Sequence, residues 1–508
     1  MRGKALLPVL ALAASVSACR RPPAVESPYT ISVPYDLDSF DPAARNRLSD
    51  FSLLSNFYEP LVVTDANLSP RPALATRWNN PDPETWVFEL RRGVKFHDGR
   101  PLRAADVVWS FERLAGNGKG LEMSGHVAML RRVRAIGDDT VEIVTTGPVG
   151  ILLNKLRFIM IVPEGEDVAT LSQKVVGTGP YRLVSWEKGR FLALRRNEAY
   201  WGPRPSLAEV RIALNRAPAE ALSDLLSGRS DFVQSSAKAT EEAIRTRPGL
   251  ELRRNSSVSV KFLSFGLESG RSDDVAGGRN PFVDPRVRRA VSLAIDRAAL
   301  VRRLSAPAVP ANQLVLPFIF GHDPSLPPLR YDPAEARRLL AAAGWPDGFE
   351  MTFPARGLFA EGAGIVAEML AAVGVRARVV PLAEQEWFER AYARRFAMTI
   401  TRFGCPTGDA SDLFEGALHT YQPERRVGLM NYSRYSSPEL DRLVEEAGRT
   451  LEMGLRRGLL FEATAQAMHD LPFVPLYVDQ DLYAFRNGVE WTPRNDNFLI
   501  ASEILRRP

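Results

Sequence analysis

At 508 residues, with two cysteines and 45% hydrophobic and 25% charged residues, the chain is long enough for two or three cores. This composition excludes a disordered, collagen-like or disulfide-stapled protein. The net charge of +5 comes mainly from arginines scattered along the chain, with no lysine after Lys261 and no basic block, which argues against a nucleic-acid-binding stripe.

The chain begins MRGKALLPVLALAASVSAC. Arg2 and Lys4 precede a short apolar stretch that ends near Ala14, too short to span a bilayer but suited to a secretory signal. The end of this segment, Val16-Ser17-Ala18-Cys19, resembles the lipobox of bacterial lipoproteins. That resemblance implies a signal peptide over 1–18, a lipidated Cys19 and a Pro-rich tether over 19–28, hence a body held at a bacterial membrane. The other reading is an ordinary signal cut nearby, with Cys19 incidental. Cys405 would then be a lone thiol, expected to pack in a core rather than to react.

Beyond the tether, β-rich and helical segments alternate irregularly. TWVFELRRGVKFHDGRPL reads as strand with a turn at Asp98-Gly99, and RAADVVWSFERLAG as an amphipathic helix. VVGTGPY, from Val175, has the glycine spacing of a phosphate loop, but Pro180 lacks an N–H and neither Lys nor a third Gly follows. Its glycines are expected to serve a turn before a hairpin centred on Lys188-Gly189. PAEALSDLLSGRSDFV reads as helix, Gly stop and strand. DPRVRRAVSLAIDRAALVRRL reads as one strong helix with Asp284 as cap and Pro285 first, and Asp332-Pro333 opens another in the same way. LPFVPLYVDQDLYAF reads as a pair of buried strand-like runs. Signals before about residue 265 are mostly β, and those from 282 to 470 are helix-rich. The fold class is therefore α/β with two lobes, the chain returning to the first near its end.

Catalytic and metal patterns are absent. His97, His126, His322, His419 and His469 pair with no cysteine or second histidine at ligand spacing, and neither H-E-x-x-H nor G-x-S-x-G occurs. No cofactor, metal or nucleic acid is expected, and an enzyme, such as a hydrolase of exported peptides, is the weaker alternative.

A run of motifs in order resembles the large periplasmic solute-binding proteins of peptide and nickel ABC importers. They are SFDPA from Ser39, NFYEPLV from Asn56, LSPRPALATRW from Leu68, WVFELRRGVKFHDGRPLRAADVVWSFERL, VVGTGPYRLVSWEKG, DPRVRRAVSLAIDRAAL and YSSPELDRLVEEA. The resemblance implies a bilobal periplasmic-binding-protein clamshell with a smaller inserted third subdomain and a hinge of two crossing strands. Lobe I is expected over 29–45, 172–265 and 475–508, the insertion over 46–171 and lobe II over 266–474. The implied role is a monomeric binding protein that captures a di- or oligopeptide and delivers it to an ABC permease and its ATPase. A metal chelate, sugar or other small molecule stays open as the ligand.

In peptide-binding members, a W-x-x-D-x-x-D-P segment lines the cleft and its first Asp pairs with the ligand ammonium. Here the segment reads AMTITRFGCPTGDASDLFEGAL. Phe403 stands for the Trp. Without a gap Pro406 falls at the ammonium site. With a three-residue insertion, Gly404-Cys405-Pro406, Asp409 takes that site and Asp412 the second Asp, and this register is preferred because it keeps the D-x-x-D spacing. Leu413 replaces the final Pro, and Gly266 stands where the family has Asn. The competing reading is that Asp409 only caps a helix. Tyr35 and Asp36 are expected at the ligand from the first cleft strand.

Overall fold

A computed structural model describes residues 27–116 and 121–507, so the leader, Cys19 and most of the tether lie outside the described residues. An eleven-stranded sheet runs through the whole body. At its centre, Leu250–Phe265 and Phe473–Arg486 lie antiparallel. From Leu250 to Ser256 the first strand pairs with Arg486 to Gln480. The register then shifts, and Val260 to Ser264 pair with Val478 to Phe473. Phe232–Ser235 joins one end of this pair, followed by Tyr29–Ser32 and Glu209–Ala213. Met398–Gly404, Phe349–Arg356 and Val375–Leu382 join the other end.

The two ends bury separate cores. Ile31, Phe57, Phe88, Leu194, Phe232, Tyr483 and Trp491 belong to one. Phe262, Leu263, Phe282, Val287, Phe353, Ile400 and Phe473 belong to the other. The two long strands thus serve both lobes and form the hinge. The register shift falls inside them, near Ser257–Ser259 and Val478–Gln480, where the sequence reading puts the lobe bounds at 265/266 and 474/475. A register shift moves a strand to new partners without altering its apolar, β-rich composition, so nothing in the sequence marks it. Phe473–Arg486 is accordingly one fourteen-residue strand rather than two runs.

The inserted segment carries its own four-stranded antiparallel sheet and the helix Ala104–Ala115. Phe88, Val107, Phe111 and Ile143 from this layer join the same core as Ile31 and Leu194, so it covers lobe I without a core of its own.

Local chemistry explains most elements. Asp284 accepts from the Arg286 N–H at 2.8 Å ahead of the helix Pro285–Leu293, and Asp332 caps Pro333–Ala342 through the Glu335 N–H at 3.0 Å. The expected single helix from Pro285 breaks after Leu293, because Asp296 accepts from the Ala299 N–H at 2.8 Å and starts a second helix, Arg297–Arg303. An aspartate inside an apolar periodicity competes with the helix for its own backbone.

The glycines of VVGTGPY allow close backbone approach. A Cβ on Gly177 would stand 1.9 Å from the Phe57 carbonyl oxygen, and one on Gly179 2.6 Å from the Phe57 carbonyl carbon. The Gly179 N–H donates to Phe57 O at 2.8 Å and the Tyr181 N–H to Asn56 O at 3.0 Å. Beside this seam Thr178, Tyr200 and Trp201 each donate to the buried Glu59 carboxylate at 2.8 Å. Burial still pushes Glu59 up to about 7. His97 closes the same seam, with Nε2 3.1 Å from Gly179 O.

Candidate ligand-binding cleft

Strand directions place the cleft. Phe232–Ser235 runs antiparallel to the second hinge strand, and Tyr29–Ser32 runs parallel to Phe232–Ser235, so both point their carboxyl ends at the hinge. Met398–Gly404 runs antiparallel to the first hinge strand and Phe349–Arg356 runs parallel to it, so these also end at the hinge. Carboxyl ends of such strands are where open α/β sheets hold ligands. The residues brought together are Tyr35 and Gln234 from lobe I, Arg356 and Arg402 from lobe II, and Lys261, Asp479 and Asp481 from the hinge strands.

Asp409 is not available as a free carboxylate. It is 3% exposed and forms a two-pronged ion pair with Arg456, itself 1% exposed, at 2.6 and 2.8 Å. It also accepts from the Ser411 N–H at 2.9 Å, and Arg456 donates further to Ser411 Oγ and Ala447 O. The sequence reading places Asp409 at a ligand ammonium; in the structure a helical arginine from later in the chain neutralises it. Asp412 does not begin the following helix. Its Oδ2 accepts from both the N–H and the hydroxyl of Thr407, at 2.9 and 2.7 Å, and closes the preceding turn. Burial lifts Asp412 to about 7, against the opposing pull of its Thr407 bonds and of Lys155 from the other lobe. Phe403 is the last residue but one of its strand and is partly buried against the lobe II core. The Tyr35 hydroxyl lies 3.4 Å from Ser52 Oγ. Asp36 ties a turn together, accepting from the Leu37 N–H and the Asn215 amide at 2.8 and 3.2 Å.

Arg356, which sequence reasoning missed, ends its strand on the cleft side and is 8% exposed. It donates to Glu384 at 2.5 Å and its guanidinium lies over the rings of Phe388, Phe359 and Trp387, at 5.3, 5.5 and 5.7 Å. Its Nε is buried without a partner. Desolvation draws its pKa down, and Arg402 on the adjacent strand adds to the effect. Arg402 is exposed and has no ion pair among the described residues. On the hinge, Lys261 is buried and paired with Asp479, and desolvation lowers its pKa. Asp481 is half-buried, accepts from the Asn497 amide at 2.6 Å, and is pushed up to about 6, first by burial and then by Asp479. Two carboxylates at alternate positions of an otherwise apolar strand, VDQDLY, were the readable signal for this face.

The lobes also meet across the mouth. The Gly150 N–H donates to Gly448 O at 2.8 Å, the Asn154 amide donates to Thr407 O at 2.8 Å, and Lys155 stands 3.6 Å from Glu415. Among the described residues no group of three His, Cys, Asp or Glu could hold a metal, and no helix is long and apolar enough to cross a membrane. Cys405 is buried, and burial raises its thiol well above the ordinary value.

Residues 69–424 match the family model described as bacterial extracellular solute-binding proteins, family 5 middle. The chain is similar to the glutathione-binding protein GsiB of Salmonella choleraesuis, 26% identical over 502 residues that cover 93% of each chain. Among solved structures it is similar to HbpA2 from Haemophilus parasuis, with TM-score 0.84 and 20% identity over 95% of this chain and 100% of that one. It is also similar to the periplasmic binding protein DppA from Helicobacter pylori in complex with the peptide STSA, with TM-score 0.75 and 22% identity over 94% and 98%.

Proposed function

The chain belongs to family 5 of the bacterial extracellular solute-binding proteins, and we propose that its solute is a small peptide-like acid whose carboxylate is taken by Arg356 and Arg402. It is an extracytoplasmic solute-binding component of an ABC importer and not an enzyme. The observation that carries the solute reading is the Arg356 Nε, a charged donor buried at the cleft with no acceptor, beside an arginine with no ion partner. Such a pair asks for a planar, negatively charged acceptor, and a carboxylate can take two of these donors at once. The glutathione named for GsiB and the peptide bound by DppA support a peptide-like solute.

The remaining parts of the reading follow from the sequence. Cys19 carries the lipid anchor, and ten residues to Tyr29 let the body stand off by roughly 30 Å when extended. One lipidated chain works alone, as a monomer, with a permease and its ATPase. Closure of the lobes on the solute presents the loaded form.

Titration calorimetry tests the solute reading with reduced glutathione and a set of tripeptides, each with a free and an amidated C-terminus. Amidation and Arg356→Gln should each weaken Kd by roughly thirtyfold or more, as loss of one member of a desolvated charge pair does. Equal affinity for free and amidated forms would sink the carboxylate assignment.

A further inference from the structure

We propose that Leu68, carried by the inserted segment, is the peg of a latch between the lobes, and that it sets the affinity for every solute without touching one. The latch rests on the reading that the solute lies in the cleft between the lobes, and it gives the inserted segment a part in binding.

Leu68 sits in the turn between the paired strands Val62–Thr64 and Pro70–Pro72. The turn is fixed locally. Asp65 Oδ1 accepts from the Asn67 and Ser69 N–H groups at 2.9 and 3.0 Å, and the Leu68 N–H donates to Asp65 O at 3.0 Å. Leu68 itself is left-handed, with φ +66°, a conformation that suits glycine or asparagine better than leucine. A large apolar residue at such a place is unfavourable in backbone strain and in exposure unless something covers it. Lobe II covers it. Its neighbours Leu61, Val62 and Leu74 are buried in the lobe I core, but Leu68 is 3% exposed and packs in the lobe II core. Gly408 opens the hole, for a Cβ there would stand 2.6 Å from Leu68 Cβ.

Three polar contacts flank the peg, each with the insertion on one side and lobe II on the other. The Asn154 amide donates to Thr407 O at 2.8 Å, the Gly150 N–H donates to Gly448 O at 2.8 Å, and Lys155 stands 3.6 Å from Glu415. Gly150 has no positive φ, so its missing side chain answers to the close approach of Thr450 O and not to a turn. Such polar groups are hydrated when the lobes part, and they gain little on closing. Leu68 differs, because its apolar surface leaves water only when the lobes meet. It therefore favours the closed form by itself, with the cleft empty. Solute held by both lobes binds the closed form, and its observed Kd is the intrinsic value divided by the closed fraction. A loss at the peg lowers that fraction, so every solute weakens by one common factor. Leu68 is thus a positioning residue: buried against lobe II, it has no surface left for the solute.

The test is Leu68→Asn, which suits the left-handed turn and removes the apolar peg. Small-angle scattering on the exhaustively dialysed full chain should give a larger radius of gyration for the variant than for wild type, at an unchanged melting temperature. Titration calorimetry with reduced glutathione and a set of tripeptides should show Kd weakened by one factor for all of them, about tenfold, as the loss of one buried leucine gives. Saturation with any of these probes should bring the radius of the variant back to the wild-type value. Leu68→Met keeps an apolar side chain of similar size and should hold both radius and affinity near wild type. Equal radii for dialysed Leu68→Asn and wild type overturn the proposal, whether or not a probe binds. Weakening factors that differ from probe to probe also overturn it, since they place Leu68 at the solute. A common factor for Leu68→Asn, with equal affinity for free and amidated tripeptides, supports the latch and removes the carboxylate reading instead.

Discussion

Removing the Asp409 side chain should unfold lobe II long before it touches ligand recognition. Asp409→Ala leaves the Arg456 guanidinium, 1% exposed, with only Ser411 Oγ and Ala447 O for five N–H donors. Leaving one charge of a buried pair unanswered costs about 3–5 kcal/mol. At a urea dependence of about 2–3 kcal/mol per molar, the first unfolding midpoint should fall by roughly 1–2 M. The double variant Asp409→Leu/Arg456→Met removes both charges and should recover most of that loss, because well-packed apolar replacements of buried pairs are often neutral. Below the midpoint, the folded fraction of Asp409→Asn should bind amine-bearing solutes as the wild type does. Urea unfolding by circular dichroism and calorimetry on the same samples separate the two effects. A variant whose stability stays within about 1 kcal/mol of wild type while its affinity for free amines collapses would refute the ion-pair argument and return Asp409 to the ligand.

Gly150→Val should hold the lobes apart, because a Cβ there would stand 2.6 Å from Thr450 O and 2.7 Å from Arg456 Nε, both on lobe II. Small-angle scattering with saturating solute should show a larger radius of gyration than wild type at an unchanged melting temperature, and an equal radius would contradict the contact. Stability should rise as pH falls from 8 toward 6.5. Glu59 and Asp412 near 7 and Asp481 near 6 all stand above their unfolded values, so the native state takes up protons that the unfolded chain does not. Below 6.5 the gain should flatten, since burial holds His97 and His126 at about 4 and only the unfolded chain protonates them there. Glu59→Gln should remove part of the rise, and urea midpoints that are level from pH 8 to 6.5 would count against these shifts. Cys19→Ser should leave the membrane fraction and lose lipid labelling, and unchanged labelling would exclude the anchor.

The parts of the fold legible in the sequence are those fixed by neighbours in the chain. Asp284 and Asp332 cap helices through N–H groups two and three residues away, and Gly189 with φ +74° turns the hairpin where the sequence places it. The glycines of VVGTGPY were expected to serve a turn, but neither has a positive φ, and their steric reason, the Phe57 carbonyl, lies far upstream.

The site was hardest to read because its charges are defined by partners distant in sequence. TGDASD looks the same whether Asp409 faces a ligand or an arginine, and only Arg456, 47 positions later, decides it. The same logic holds at Asp481. Its neighbours Asp479 and Lys261 are 218 positions apart, and only the fold brings that one lysine to both acids. A strand interior tolerates a carboxylate when something answers the charge. VDQDLY holds two, and the fold supplies one lysine. Lys261 therefore acts on both acids, and burial outweighs it at Asp481, which stands at about 6.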